Sequence, residues 1–184
     1  MNVLALSGSL RARSINSAFC RVVARLAPPP IRVTVLSGLG DLPPFNPDDE
    51  VSPPDSVRLF RSAIIQADAL LIASPEYAHG ISGVMKNALD WLVSFEGIVK
   101  KPVAIVNTSP RARRAYDALR EVLHTMSTDF IEDASRPIAL LGVCDTEEAM
   151  LASPEVRRAV QYMLQAIHTH LDGLDEPRPS FPVA

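Results

Sequence analysis

The chain has 184 residues, a length that suits one domain with its own core. Apolar residues make up 47% of it, yet no apolar run approaches the ~18 residues of a membrane span, and the net charge of -3 lacks the basic field typical of nucleic-acid binding. The first residues, MNVLALSGS, do not resemble a signal peptide, and Cys20 and Cys144 have no metal-like or C-x-x-C spacing. We expect a cytoplasmic protein that uses no metal and binds neither membrane nor nucleic acid.

The first part of the chain predicts two strands and two helices. Residues 3–6 are apolar and bounded by Ser and Gly, which predicts a buried strand, and helical spacing of apolar residues predicts a helix over 14–27. Residues 31–36 alternate and are β-branched, which predicts a second strand. A long Pro- and Asp-rich loop over 38–54 follows, of a length that is usually functional. Asp55 is expected to cap a helix that runs to Ala67.

The rest of the chain continues this alternation. Strands are predicted at 69–73, 102–109 and 136–144, and helices at 84–92, 111–126 and 154–171. Five strands alternating with five helices predict an α/β domain in which a doubly wound parallel sheet is covered by helices on both faces. We expect residues 1–172 to form this single domain and residues 173–184 to be a Pro-rich C-terminal tail.

The loop after the first strand has the composition of an anion site. Its glycine allows a turn, Ser9 and Ser14 supply hydroxyls, Arg11 supplies a guanidinium, and the next helix adds free N–H groups. These groups suit a phosphomonoester. The alternative that the residues leave open is that the serines only cap the helix and that Arg11 is solvated.

Four other chemistries lack their required patterns. The first loop has neither G-x-G-x-x-G nor the Walker A pattern, which argues against dinucleotide-fingerprint and P-loop sites. Cys20 falls inside the predicted helix, where a cysteine phosphatase could not use it, and no G-x-S-x-G is present for a serine hydrolase.

Three segments together resemble the NADPH-dependent FMN reductase family: GSLRARSIN, DLPPFNPDDE and PEYAHGISGVMKNALDW. The resemblance covers about residues 2–171 and implies a flavodoxin-like sandwich with strand order 2-1-3-4-5. It implies FMN as cofactor and NADPH or NADH as co-substrate, with hydride passing to the flavin and electrons on to a flavin, quinone or other small acceptor. It also implies a homodimer or homotetramer, with Phe45, Lys86 and Asp90 near the subunit contact.

The same resemblance assigns the site residues. Those expected to hold the FMN phosphate are Ser9, Arg11, Ser14 and Asn16. Those expected near the isoalloxazine ring are Pro75, Glu76, Tyr77, Ala78, His79, Gly80 and Ser109. No side chain is expected to be a chemical catalyst, and Glu76 and Tyr77 are the nearest candidates beside the ring. A subunit contact is the alternative role for Glu76. Gly80 is expected to give this loop its conformational freedom.

The chain departs from the family pattern at two places. Ser82 stands where the pattern has Pro, which we expect to loosen the turn slightly. After the fourth strand many relatives have S-x-G-x-x-G-G, whereas this chain reads TSPRARRAY, so we expect an exchangeable FMN. The arginines at 111, 113 and 114 favour NADPH if they meet its phosphate. The alternative function is a flavodoxin-like electron-transfer protein without efficient nicotinamide turnover.

Overall fold

The computed structural model describes residues 1–109, 113–140, 142 and 144–175. A five-stranded parallel sheet has the order β2-β1-β3-β6-β7, and a separate antiparallel hairpin pairs β4 with β5. The strands are β1 (Asn2–Ser7), β2 (Arg32–Val35), β3 (Ala69–Ala73), β4 (Glu76–Tyr77), β5 (Gly80–Ile81), β6 (Pro102–Val106) and β7 (Asp129–Phe130). With the hairpin set aside, the sheet confirms the predicted order 2-1-3-4-5.

Helices cover both faces of the sheet, as the alternation predicts. They are α1 (Ile15–Leu26), α2 (Asp55–Gln66), α3 (Gly83–Asp90), α4 (Arg113–Thr125), α5 (Glu147–Ala152) and α6 (Pro154–Asp175). Helices α1, α5 and α6 pack on one face, and α2, α3 and α4 pack on the other. In the part of the chain that the structure describes, no helix combines the length and the apolar character needed to cross a membrane.

The central strands divide their side chains between two cores because successive strand residues point to opposite faces. In β3, Leu71 enters the core under α1 and α6, whereas Leu70 and Ile72 enter the core under α2 and α3. All five residues of β3 are buried. This burial on both faces explains why the strand reads as an uninterrupted apolar run and why its bounds match the prediction.

The predicted strand over 136–144 is wrong for the residues of this range that the structure describes, 136–140, 142 and 144. The fifth strand of the sheet is β7, and a short 3-10 helix (Glu132–Ala134) separates it from this segment. Pro137 makes only an isolated bridge with Asn107, and the N–H groups of Ile138 and Leu140 donate to the carbonyls of Asn107 and Thr108. Pro137 has no N–H to continue a ladder. Leu140 is fully buried, so its apolar character reflects burial and not strand pairing.

Other element boundaries also differ from the predictions. Asp55 is the first residue of α2 and not its cap, a position that Pro54 occupies without a side-chain bond. Helix α5 was not predicted, and α6 extends to Asp175, beyond the expected end near residue 171. The long loop contains two short 3-10 helices, Leu39–Asp41 and Pro47–Asp49.

Helix α3 anchors the long loop over 38–54. The Asn87 amide accepts the Phe45 N–H at 2.8 Å and donates to the Pro43 carbonyl at 3.0 Å. The Trp91 indole N–H donates to the same carbonyl at 2.8 Å, and its buried ring meets Phe45 edge to face. Arg61 of α2 donates to the Trp91 carbonyl and pairs with Glu50. Side chains from outside the loop, those of Asn87 and Trp91, thus hold the loop by hydrogen bonds to its backbone.

We expect Asn87→Ala to lower the free energy of unfolding by about 1–3 kcal/mol, because it leaves the Phe45 N–H and the Pro43 carbonyl without the amide. Equilibrium unfolding in urea measures the change. Gln66→Ala is the matched control, since this exposed amide bonds only within its helix and should change stability by less than about 0.5 kcal/mol. Equal losses in the two variants would contradict the anchoring role of Asn87.

Candidate functional site

A cleft of about 320 Å³ lies where β1, β3 and β6 end, and its lining comes from the three loops that follow these strands. The lining residues are Ser9, Arg11, Ile15, Asn16, Ser74, Pro75, Glu76, Tyr77, Thr108 and Ser109. We call residues 9–16 the first wall, 74–77 the second wall and 108–109 the third wall. Strand order reverses beside β1, the position where ligands bind in open α/β sheets.

The first wall is held in shape by its own serines. Ser14 is buried and its hydroxyl accepts the Ser17 N–H at 3.2 Å, so it caps α1. Ser14 lines the neighbouring surface groove instead of the cleft. The Ser9 hydroxyl accepts the Arg11 N–H at 3.4 Å and remains on the cleft lining. The Ser14 result fits the capping alternative, whereas Ser9 keeps a position suited to a ligand.

Arg11 is exposed at the mouth of the cleft, and within the described ranges its guanidinium has no carboxylate partner. A guanidinium of this kind is a strong donor to phosphate oxygens. The free N–H groups at the start of α1 lie on the same wall and also favour negative charge. This end of the cleft therefore suits an anion.

The second wall continues into the hairpin of β4 and β5. Ala78 and His79 form its turn with left-handed φ angles of 48° and 62°, the geometry that a two-residue hairpin turn requires. Residues with a Cβ adopt this conformation at a cost of about 1–2 kcal/mol each. The expectation that Gly80 supplies the conformational freedom is wrong, because the positive angles fall on the two residues before it. Pro75, Glu76 and Tyr77 line the cleft, and Ala78, His79 and Gly80 form the end of the hairpin.

The Glu76 carboxylate is occupied by protein donors. Its Oε2 accepts the Ala115 N–H of α4 at 2.9 Å, and its Oε1 lies 3.1 Å from His79 Nδ1. The Ala115 N–H holds the pKa of this carboxyl below its ordinary value, and His79 adds to the effect. Glu76 is therefore an anion that is fixed in place. Tyr77, the other candidate beside the ring, has a side chain that is 56% exposed and borders the open side of the cleft.

Buried hydroxyls join the first wall to its neighbours. Ser82 donates to the Gly8 carbonyl at 2.6 Å, accepts the Met85 N–H at the start of α3, and lies 3.3 Å from the Ser74 hydroxyl. A Cβ on Gly8 would lie 2.4 Å from the Ser74 oxygen, so only glycine fits there. The expected loosening at Ser82 is not found, because this hydroxyl ties the first loop to α3.

A second buried bond joins the first wall to the third. The Thr108 hydroxyl donates to Asn16 Oδ1 at 2.8 Å, and both residues are almost fully buried. Ser109 follows on the cleft lining, and its N–H donates to Asn107 Oδ1. Pro110, Arg111 and the residue after them lie outside the described residues. Arg113 and Arg114 begin α4 and are exposed.

The donor set fits an aromatic phosphomonoester such as FMN. One end offers a cation and helix N–H groups, and the second wall offers backbone beside Pro75 and Tyr77. Burial raises the pKa of the Cys20 thiol to about 12, so this cysteine is not a nucleophile. Among the described residues, no cluster of His, Cys, Asp and Glu side chains could hold a metal ion.

Three lining residues were not predicted: Ile15, Ser74 and Thr108. Ser74 directly follows β3, and Thr108 comes two residues after β6. The rule that ligands bind beyond the carboxyl ends of parallel strands indicates the loops that begin at these two residues, although neither residue was named as a site residue. Ile15 carried no such signal, because an apolar first residue of a helix usually packs in the core.

Comparison with known proteins identifies the group to which this site belongs. The chain is 33% identical over 176 residues to an NAD(P)H-dependent FMN reductase of Pseudomonas aeruginosa, covering 91% of this chain and 93% of that protein. It is 32% identical over 148 residues to a quinone reductase of Pseudomonas putida, covering 77% of each.

A solved structure extends the likeness to three dimensions. FerB, a flavoenzyme NAD(P)H:(acceptor) oxidoreductase from Paracoccus denitrificans, superposes with a TM-score of 0.74 at 28% identity, covering 92% of this chain and 98% of FerB. The family model for NADPH-dependent FMN reductase matches residues 1–140. With its sheet order, its cleft at the strand ends and these matches, the chain belongs to the NADPH-dependent FMN reductase family, as its motifs predicted.

Proposed function

We propose that this protein is an FMN-dependent NAD(P)H oxidoreductase that passes electrons to a quinone, a flavin or another small acceptor. The observation that carries the proposal is the cleft at the strand ends, with the exposed Arg11 guanidinium at one end and the second wall beside it. Relatives named as FMN reductase and quinone reductase support the same activity. Bound FMN would accept hydride from the nicotinamide and return the electrons to the acceptor.

The chain's own residues have binding and positioning roles in this proposal. Arg11 and the Ser9 hydroxyl bind the phosphate, helped by the free N–H groups of α1. The backbone from Pro75 to Tyr77 lies along the ring. Glu76 moves no proton, because protein donors occupy its carboxylate. The side of the cleft at Tyr77 is open, which leaves room for the nicotinamide and the acceptor to approach in turn.

An electron-transfer protein without nicotinamide turnover is the second candidate. Its specific support is the flavodoxin-like sheet order, which such carriers also have, and fold alone does not determine activity. The cation in the first loop and the names of the relatives favour the reductase. The two functions differ in whether NADPH reduces the bound flavin at a useful rate.

We expect anaerobic addition of NADPH to the purified protein with FMN to bleach the flavin absorbance within seconds. Addition of a benzoquinone should then restore the absorbance, because the reduced flavin passes on its electrons. Free FMN with NADPH and no protein is the control. Bleaching by dithionite but not by NADPH or NADH would favour the electron-transfer protein instead.

We expect Arg11→Ala to weaken FMN binding by about 1.5–3 kcal/mol, the size of a hydrogen bond to a charged group, and to leave riboflavin binding unchanged. Fluorescence titration with both flavins measures this difference. Arg158→Ala removes an equally exposed arginine from α6 and should change neither affinity. An Arg11 variant that binds FMN as the wild type does would show that the guanidinium is only solvated.

We also infer that the protein forms a homodimer or homotetramer through the surface near Phe45, Lys86 and Asp90. Lys86 and Asp90 pair with each other at 2.5 Å, so they offer a neutral rim. Val51 follows Glu50 in the chain and Val93 comes two residues after Trp91, whose carbonyl accepts from Arg61; the two valines are 96% and 62% exposed. A contiguous exposed apolar patch is a feature of protein interaction sites, and we infer that these two valines contribute to one.

Light scattering at micromolar concentration should give the mass of a dimer or tetramer for the wild type. Val93→Asp should reduce that mass to a monomer's, because it places a charge in the apolar contact. Leu174→Asp, at an exposed leucine near the end of α6, is the matched control and should leave the mass unchanged. A monomeric wild type would contradict the inferred interface.

A further inference from the structure

Glu76 is the residue at which the second wall meets the helix that follows the third wall. Its Oε2 accepts the Ala115 N–H at 2.9 Å across 39 positions of sequence, and its Oε1 lies 3.1 Å from His79 Nδ1. The Glu76 side chain is 11% exposed, so these contacts are largely shielded from water. One carboxylate thus touches both the turn of the hairpin and the first turn of α4.

The hairpin needs an external support of this kind. Its strands β4 and β5 have two residues each, and a two-stranded hairpin of this size is not stable alone. Its turn also places Ala78 and His79 in the left-handed region. Strained backbone of this sort persists where surrounding contacts hold it. Glu76 supplies such a contact, because its carboxylate joins His79 of the turn to Ala115 of α4.

The first turn of α4 needs a partner as well. The leading N–H groups of a helix have no acceptor within the helix itself, and in α4 the Ala115 N–H donates to Glu76 Oε2. Ala115 is the third residue of α4, the position whose N–H a capping side chain usually binds. Here the cap comes from Glu76 on a different loop. Any shift of the hairpin would therefore shift the start of α4 with it.

Two further hydrogen bonds link segments around the cleft. Ser82 ties the first loop to α3, and Thr108 ties the third wall to Asn16. The bond from Glu76 to Ala115 is a third cross-link, because it joins the second wall to helix α4.

We propose that Glu76 is a positioning residue that fixes the second wall against the start of α4 and so sets the place at which this wall meets the isoalloxazine ring. The inference rests on the proposed function, since it takes FMN as the ligand of the cleft. Glu76 acts through hydrogen bonds to Ala115 and His79 and not through its charge at the flavin. Its loss weakens the ring contacts and leaves the phosphate contacts of Arg11 in place.

The nature of the bond makes Glu76→Gln the informative variant. A glutamine oxygen accepts the Ala115 N–H as the carboxylate does, and its NH₂ group donates to His79 Nδ1 in the suitable tautomer. Glu76→Ala removes both contacts. A charge-based role predicts equal damage from both variants, whereas a positioning role predicts that glutamine rescues binding.

The experiment titrates wild type, Glu76→Ala, Glu76→Gln and Glu121→Ala with FMN and with riboflavin, and records the melting of each apo-protein. Glu121 is an exposed glutamate on α4 and serves as the control. We expect Glu76→Ala to raise the Kd for both flavins by about tenfold or more and by the same factor. Glu76→Gln should stay within about threefold of wild type, and Glu121→Ala should match it.

Two results would overturn the inference: Glu76→Ala binding both flavins as wild type does, or Glu76→Gln losing as much affinity as Glu76→Ala. If Glu76→Ala does not melt as a folded protein, Glu76→Thr is tested instead. Threonine suits a strand, and its side chain is too short to reach the Ala115 N–H. A wild type that binds neither flavin would instead reject the proposed function, so the two failures are distinct.

Discussion

Parallel pairing of β1 with β3 brings Ser7 beside Ala73, and one residue later the Gly8 N–H donates to the Ala73 carbonyl at 2.9 Å. This last bond sets the first loop directly against the second. The approach is so close that no side chain fits on Gly8. The cleft opens beside this contact, and the Ser82 hydroxyl donates to the carbonyl of the same glycine.

The two charged side chains of the cleft, Arg11 and Glu76, differ in how freely they can meet a ligand. Arg11 is left at the surface with its guanidinium available to an anion, whereas the carboxylate of Glu76 is shielded and bound to protein donors. A free carboxylate beside the ring would oppose negative charge on a reduced flavin. Because the Glu76 carboxylate is bonded to the first turn of α4, the positive end of the helix dipole offsets its negative charge.

Prediction succeeded where local pattern and burial carry the same information. The apolar run of β3 and the Ser14 cap of α1 are local signals, and both elements lie where the pattern indicated. It failed over 136–144, because a buried loop segment has the same apolar character as a strand. It also failed at Gly80, since the left-handed positions of the turn depend on the pairing of β4 with β5.

The amino-acid sequence alone was enough for the α/β class, the strand order, the family and the loops that line the cleft, because each depends on periodicity or on short motifs. It could not reveal which side chains join those loops. Glu76 and Ala115 are 39 positions apart, and Ser82 and Gly8 are 74 apart. The sequence predicted Glu76 beside the ring but did not reveal its bond to Ala115, and it did not reveal the bond from Ser82 to Gly8. Hydrogen bonds between loops depend on how closely folding brings distant backbone together, and no local pattern records that distance.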